Sequence, residues 1–364
     1  MIELTAPPKP EMGDFAFGCF ALAKEQKKNP VEVAKEIAEK LRNEEIKKLG
    51  VIERIEAVGP YVNFFLKGTE VAKMIFKTID KAGETYGAHT MGKKKRVLVE
   101  FGCPNPLKAF HLGHLRNLIT GESVARVLEN AGYDVKRVNY QGDVGMHVAK
   151  TLWGIHELSS EYMEASKKAI DERVAFLGRA YAYGATKFEE DEGIKKAIEA
   201  YNAKVYEMTS DIAEVYRTTR GWSLEYFDTI YTKLGARYDH LYFESEVSSR
   251  GKELVKKWVK KGVFKESEGA IIFPGSEHGL HDRVFINSKG YPTYEAKELA
   301  LAERHFADYK PARVVHVVGK EQTEYFKVLF RAIETLWPKT KGKEHHLVGG
   351  YLQLKGEKKM SSRT

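Results

Sequence analysis

The chain has 364 residues, 43% hydrophobic and 30% charged, a balance that suits a globular protein with room for two domains and excludes a disordered chain. Lys and Arg (59) outnumber Asp and Glu (51), and the net charge of +8 favours a polyanionic partner. Two cysteines, Cys19 and Cys103, exclude a disulfide framework and a cysteine-rich zinc site.

No apolar run reaches membrane-spanning length and no signal-like N-terminus is present, so a reducing cytoplasm is the expected compartment. Residues 1–85 read as a separate small α/β (α+β) domain. Ala16 to Lys24 is a candidate first helix. Asn29-Pro30-Val31-Glu32 then has the form of a helix start, with Asn29 as N-cap, Pro30 at N1 and Glu32 at N3. Val33, Ile37 and Leu41 would be its buried stripe. Glu53 to Ala57 and Tyr61 to Leu66 read as strands around Gly59-Pro60, and Thr69 to Gly87 as a helix leading out. The basic run Lys93-Lys94-Lys95-Arg96 marks the expected boundary.

Residues 97–143 carry the strongest pattern. The apolar run Val97 to Phe101 predicts a buried parallel strand. A Pro/Asn-rich turn follows, and a helix enters through His111-Leu112-Gly113-His114, carries Leu118, Gly121, Ala125 and Leu128 on one face, and stops at Gly132. A second strand, Asp134 to Tyr140, closes the unit at Gln141-Gly142-Asp143. Strand, turn, helix, strand is the first βαβ of a nucleotide-binding sheet, with its ligand expected where the first strand meets the helix. Two histidines flanking a glycine replace the usual phosphate-binding glycines. Imidazole donors and free backbone N–H groups at a helix N-terminus suit nucleotidyl transfer, where charge develops on the α-phosphate.

Residues 145–240 read as a mostly helical insertion, with helical segments Met163–Tyr183 and Ile194–Tyr216 and no chemistry-bearing spacing; His147 and His156 are taken as surface or packing residues. Beyond it, Tyr242-Phe243-Glu244-Ser245 ends a short strand and Gly251 to Lys261 forms a basic helix. Ala270–Phe273 and Arg283–Ile286 are strands. Tyr294 and Glu298 share a helix face at i, i+4. Arg313–Val318 is a further buried strand ahead of Gly319-Lys320-Glu321-Gln322 and a helix from Tyr325. The final loop, Lys355 to Arg363, holds four cations and suits a clamp on a triphosphate.

Together, His111-Leu112-Gly113-His114 and Lys359-Met360-Ser361-Ser362 resemble the two signature motifs of class I aminoacyl-tRNA synthetases. The surrounding residues narrow the resemblance to arginyl-tRNA synthetases: VEFGCPNPLKAFHLGHLRNLITGESVARVLENAGYDVKRVNYQGDVG, GYPTYEAKEL, HVVGKEQTEYFKVLF and, near the start, GDFAFGCFALAKEQKKNPVEVAKEIAEKL with VGPYVNFFL. It covers most of residues 10–364 and is weakest in the helical insertion.

The resemblance implies a class I Rossmann-type parallel sheet split by the insertion about 145–240, within a catalytic domain spanning 90–364. It implies ATP with Mg²⁺, L-arginine and tRNA(Arg), the last held at its acceptor end and, through the N-terminal domain 1–85, at its elbow. By the same resemblance His111, His114, Lys108 and Lys359 are catalytic, and Gly113, Met360, Ser361 and Ser362 join the two histidines at ATP. Asn105, Glu244, Tyr294, Glu298 and Gln322 match the arginine pocket. Carboxylates there make sense, because a guanidinium wants planar, bidentate acceptors. The family more often has Asp at the Glu298 position. Ser362 stands where other class I enzymes carry a second lysine, and Lys108 takes over that charge in many arginine enzymes. No protein metal site is expected, and a monomer is. The anticodon-binding domain that follows Arg363 in the family is expected to be missing. The alternatives are a non-catalytic or weakly active RNA-binding fragment, or another H-x-G-H nucleotidyltransferase.

Overall fold

A computed structural model of the chain describes residues 3–43 and 50–349. The chain divides into two units, Met1–Ala88 and His89–Thr364. In the first, strand β1 (Phe15–Gly18) pairs antiparallel with β3 (Tyr61–Leu66), which pairs antiparallel with β2 (Ile52–Val58). Helices α1 (Phe20–Gln26) and α2 (Pro30–Asn43) bury Ala23, Val33, Ala34 and Ala38 with Cys19, Ile55 and Val62. Helix α3 (Gly68–Ala82) follows.

The helix expected from Ala16 is corrected. Ala16-Phe17-Gly18 lie in β1, in register with Asn63, Val62 and Tyr61, and the helix starts at Phe20. Pairing satisfies the backbone of β3, which outweighs the local helix preference of the AFGCFALAK stretch. Asn29 does cap α2, its side-chain oxygen accepting from Val31 N at 2.9 Å. Ile37 and Leu41 are only partly buried, because the closest packing uses Val33, Ala34 and Ala38.

The second unit begins β4 (Arg96–Glu100), α4 (Leu112–Asn130), β5 (Asp134–Gln141). Five helices intervene: α5 (Met146–Glu157), α6 (Ser159–Ala165), α7 (Ile170–Glu190), α8 (Glu192–Glu207) and α9 (Ser210–Leu234). Then come β6 (His240–Phe243), α10 (Glu244–Val259), and the short strands β7 (Lys265–Ser267), β8 (Ala270–Phe273) and β9 (Arg283–Ile286). Helix α11 (Tyr294–Tyr309), β10 (Arg313–Gly319), α12 (Thr323–Leu336) and β11 (Glu344–Gly349) complete it.

The main sheet is parallel throughout, in the order β11-β10-β4-β5-β6. From β4 the chain builds outward through β5 to β6, then returns to lay β10 and β11 on the other side. The winding reverses between β4 and β10, so the loops there diverge and a crevice opens at the carboxyl ends of those strands. Val97, Leu98 and Val99 are buried on both faces of β4, and Leu118, Gly121 and Ala125 of α4 are buried over the sheet. This is the mixed α/β architecture, a parallel sheet split by a helical insertion, that the sequence implied.

Two local expectations change. Each long insertion segment is broken: α6 ends at Ala165 before α7 opens at Ile170, and α8 gives way to α9 at Met208, whose φ is +51°. Helix α10 begins at Glu244, seven residues before Gly251, because Glu244 and Glu246 sit in its first turn, where carboxylates favour a helix N-terminus. Strands β7, β8 and β9 form a separate antiparallel sheet. The basic run ending at Arg96 belongs to the second unit: Lys94 N donates to Gly132 O and Arg96 pairs with Asp134. Among the described residues no helix is long and apolar enough to cross a membrane.

One polar cluster lies inside this core. Arg137 of β5 is 1% exposed, with Nε 2.9 Å from Glu122 and both Nη atoms on Glu129. Removing the guanidinium leaves Glu122, itself 7% exposed, with only the exposed Arg126, whose Nε donates to it at 2.7 Å. Arg137→Ala is expected to cost about 3–5 kcal/mol of stability. Arg250→Ala, at the exposed pair with Glu303, is expected to cost under about 1 kcal/mol, with denaturant unfolding as the measure.

Candidate active site

The loop from Phe101 to Phe110 leaves the end of β4 and delivers His111 as the N-cap of α4. Its Nδ1 accepts from Gly113 N at 3.1 Å, and Nδ1 of His114 accepts in return from His111 N at 3.3 Å. This is a capping box built from two imidazoles. The rings stack, with centroids 3.8 Å apart and planes 14° from parallel. A side chain at position 113 would meet the His111 ring at 2.9 Å, so glycine there is what lets the cap close.

Both Nδ1 atoms accept, so the proton of each neutral ring belongs on Nε2. Partial burial lowers His111, helped by the charge of Lys108, and burial pushes His114 down to about 3, helped by His111 and Lys108. Near neutral pH the pair therefore offers two uncharged N–H donors at a helix N-terminus. An anion or a phosphoryl oxygen fits such a place.

A cavity of about 690 Å³ opens between this cap and the carboxyl ends of the strands. Its wall brings together eight residues singled out in the sequence: Asn105, His111, Gly113, His114, Glu244, Tyr294, Glu298 and Gln322. Asn105 is held by Gly142 N, which donates to its Oδ1 at 3.1 Å; a Cβ at 142 would collide with that oxygen. Buried Glu244 forms an ion pair with buried Lys297. Burial would strip that ammonium of its proton, but the Glu244 carboxylate holds it above its ordinary value. Tyr294 opens α11 with its ring 4.9 Å from Lys297 Nζ, and Gln322 stands at the rim. Glu298 is pushed well above the usual carboxylate range by burial and by its neighbours Glu100 and Glu244.

Lys108 is not in the cavity wall; its ammonium lies 4.9 Å over the ring of Tyr181 on α7. Lys359, Met360, Ser361 and Ser362 lie outside the described residues. His147 is half-buried beside the site, with Nε2 2.7 Å from Gly142 O, whereas His156 is exposed.

The cavity also contains residues the sequence reading passed over. Glu100 lies in its floor, and Arg116 and Arg283 in its wall. The hydroxyls of Tyr140 and Tyr325 are buried in the wall with no hydrogen-bond partner among the described residues. Glu100 left a signal: it is the one charged residue in VLVEF. The tyrosines left none, since aromatic residues in buried segments usually only pack.

Residues 77–364 match the family model "tRNA synthetases class I (R), catalytic domain", and residues 1–66 match "Arginyl tRNA synthetase N terminal domain". The chain belongs to the arginyl-tRNA synthetase family. It is 33% identical over 367 residues to an arginine–tRNA ligase of Treponema denticola, covering 100% of this chain and 61% of that one. With the ligase of Clostridium perfringens it shares 32% over 335 residues, covering 92% and 57%. Among solved structures, the Thermus thermophilus arginyl-tRNA synthetase superposes with a TM-score of 0.65 at 25% identity, over 99% of this chain and 64% of that one. The Plasmodium falciparum arginyl-tRNA synthetase shares the fold, with a TM-score of 0.60 at 19% identity over 96% and 61%. The chain thus spans about three fifths of the length of these arginyl-tRNA synthetase relatives.

The cap geometry sets a pH dependence. Histidines of the unfolded chain titrate near 6.5, against about 3 for His114 and about 4 for His147 when folded. Between those values the unfolded state binds more protons, so the stability these two residues contribute is complete above pH ~6.5 and is lost as pH falls toward 3. The ¹⁵N resonances of His114 are expected to keep the neutral Nε2–H pattern from pH ~8 to ~5. Titration of His114 near pH ~6.5 would contradict this geometry.

Proposed function

We propose that the chain carries the amino-acid-activating centre of an arginine–tRNA ligase. The reading rests chiefly on one observation: stacked neutral histidines at a helix N-terminus face the same cavity as Glu100, Glu244 and Glu298. One end suits a phosphate and the other a guanidinium.

In this reading the carboxylate of L-arginine attacks the α-phosphate of ATP in line, pyrophosphate leaves, and arginyl-adenylate forms. The terminal adenosine hydroxyl of tRNA(Arg) then takes the arginyl group. His111 and His114 donate through Nε2–H to the developing charge on the α-phosphate, and Gly113 leaves room for the adenine at the cap. Lys108 and Lys359 serve the triphosphate with Met360, Ser361 and Ser362; Lys108 would have to swing from Tyr181 to do so. Asn105 and Gln322 hold the amino-acid end. Glu100, Glu244, Tyr294 and Glu298 line the guanidinium end, the longer Glu298 serving where the family more often has Asp. Positioning and fixed dipoles supply the rate, with no covalent enzyme intermediate.

ATP would bring its Mg²⁺ with it; among the described residues no three His, Cys, Asp or Glu side chains gather into a metal site. The first unit, from its match to the family's N-terminal domain, would bind tRNA.

The test is ATP–pyrophosphate exchange with L-arginine, with and without tRNA(Arg), against lysine and citrulline. Arginine-dependent exchange that tRNA stimulates, absent with citrulline, is the expected result. Retention of tRNA without arginine binding or exchange would favour an RNA-binding fragment instead.

A further inference from the structure

The floor of the cavity holds an arrangement that the steps above leave unused. Glu100 ends β4, His316 lies opposite it in register on β10, and Glu344 opens β11 on the far side. The His316 ring bridges the two carboxylates, with Nδ1 3.2 Å from Glu100 Oε1 and Nε2 2.7 Å from Glu344 Oε2. All three are buried, at 3%, 2% and 8% exposure for His316, Glu100 and Glu344. Phe326 and Phe330 of α12 pack against the ring at 5.1 and 5.5 Å. Of the three, only Glu100 lines the cavity. Its Oε2 is buried with no hydrogen bond among the described residues, and His305 Nε2 lies 3.9 Å from it.

We propose that His316 is a positioning residue for substrate recognition: braced by Glu344, it clamps the Glu100 carboxylate in the cavity floor so that its charge is offered to the cationic group of the substrate. The proposal rests on the reading of the cavity as an arginine site. A glutamate has three rotatable bonds, and a buried one with no donor would protonate rather than accept a cation. The imidazole removes both problems. To donate to both carboxylates it must carry two N–H groups, which makes it an imidazolium. Burial opposes that charge, yet Glu100 and Glu344 hold His316 well above its ordinary value. Burial likewise opposes ionisation of Glu100, and His316 overcomes it. The three groups then carry one net negative charge, available on the cavity side.

The test is calorimetric titration of the whole chain with L-arginine, citrulline and ATP, on wild type, His316→Gln and Glu344→Gln. Glu344→Gln leaves every cavity-lining residue in place and decides the matter if the histidine variant does not fold. Expected are arginine affinity weakened about tenfold or more for His316→Gln and several-fold for Glu344→Gln, a reduced preference for arginine over citrulline, and ATP affinity within about twofold of wild type. Arginine affinity that stays put, or that falls in step with ATP affinity, overturns the role of His316. A wild-type chain that binds ATP but no arginine overturns the reading of the cavity itself, and the inference with it.

Discussion

Asp143, fully buried two residues beyond the end of β5, accepts from Ser245 N and Oγ at 2.8 Å, from Tyr216 at 3.1 Å and from Arg220 at 3.0 Å. Those four donors come from the start of α10 and from helix α9 of the insertion. One carboxylate therefore fastens the insertion to the sheet and fixes where α10 begins. Glu244 is the residue before Ser245, and Gly142, which holds Asn105, is the residue before Asp143. Two cavity side chains thus take their places from a group that is not in the cavity wall. A buried carboxylate is tolerable only when its lone pairs are used, and here Oδ1 and Oδ2 are both engaged.

The histidine pair divides its work by atom. Nδ1 of each ring closes the helix cap, a structural task that Ser, Asp or Asn performs in most helices. A carboxylate cap would have left no donor facing outward. Imidazole has a second nitrogen, and fixing the tautomer through the first leaves the second as an N–H. The stacking of the rings and their burial keep both neutral, so the donor is retained without adding a charge that burial would oppose. Chain geometry and site chemistry are set by the same four nitrogen atoms.

The parts legible in the sequence were those written locally. The strand from Val97, the helix through His111 and the strand from Asp134 follow from apolar period and turn residues within some forty positions, and the family resemblance extended that to the whole sheet. What stayed hidden depends on register between distant strands. Glu100 and His316 are 216 positions apart and meet only because β4 and β10 are neighbours. Each stands alone in an apolar run, Glu100 in VLVEF and His316 in RVVHVVG, which marks a buried polar group but not its partner. Glu122 and Arg137 escaped for the same reason: Glu122 falls in the buried stripe of α4 among residues chosen for their apolarity. The start of α10 was readable after all. Glu244 and Glu246 have the acidic signature of a first turn, which the strand-like Tyr242-Phe243 before them obscured.

Charge balance connects these pieces to selectivity. Glu100, Glu244 and Glu298 border the cavity with Glu344 behind them; Lys297 and His316 pair directly with these carboxylates, and Arg116 and Arg283 stand elsewhere in the wall. Four ionised carboxylates against two cations would leave two negative charges in a poorly hydrated region, which costs more than protonating one of them. Glu298, with Glu100 and Glu244 crowding it, is the carboxyl pushed furthest toward the neutral form. Among these six groups one negative charge then remains, which a single cationic group would neutralise. A neutral isostere of the same shape leaves it uncompensated. On the proposed reading, discrimination is carried by this residual charge as much as by any hydrogen bond. On that reading the pocket needs cations of its own: without Lys297 and His316 the crowded carboxylates would take up protons from solvent, and no charge would be left for a guanidinium to meet.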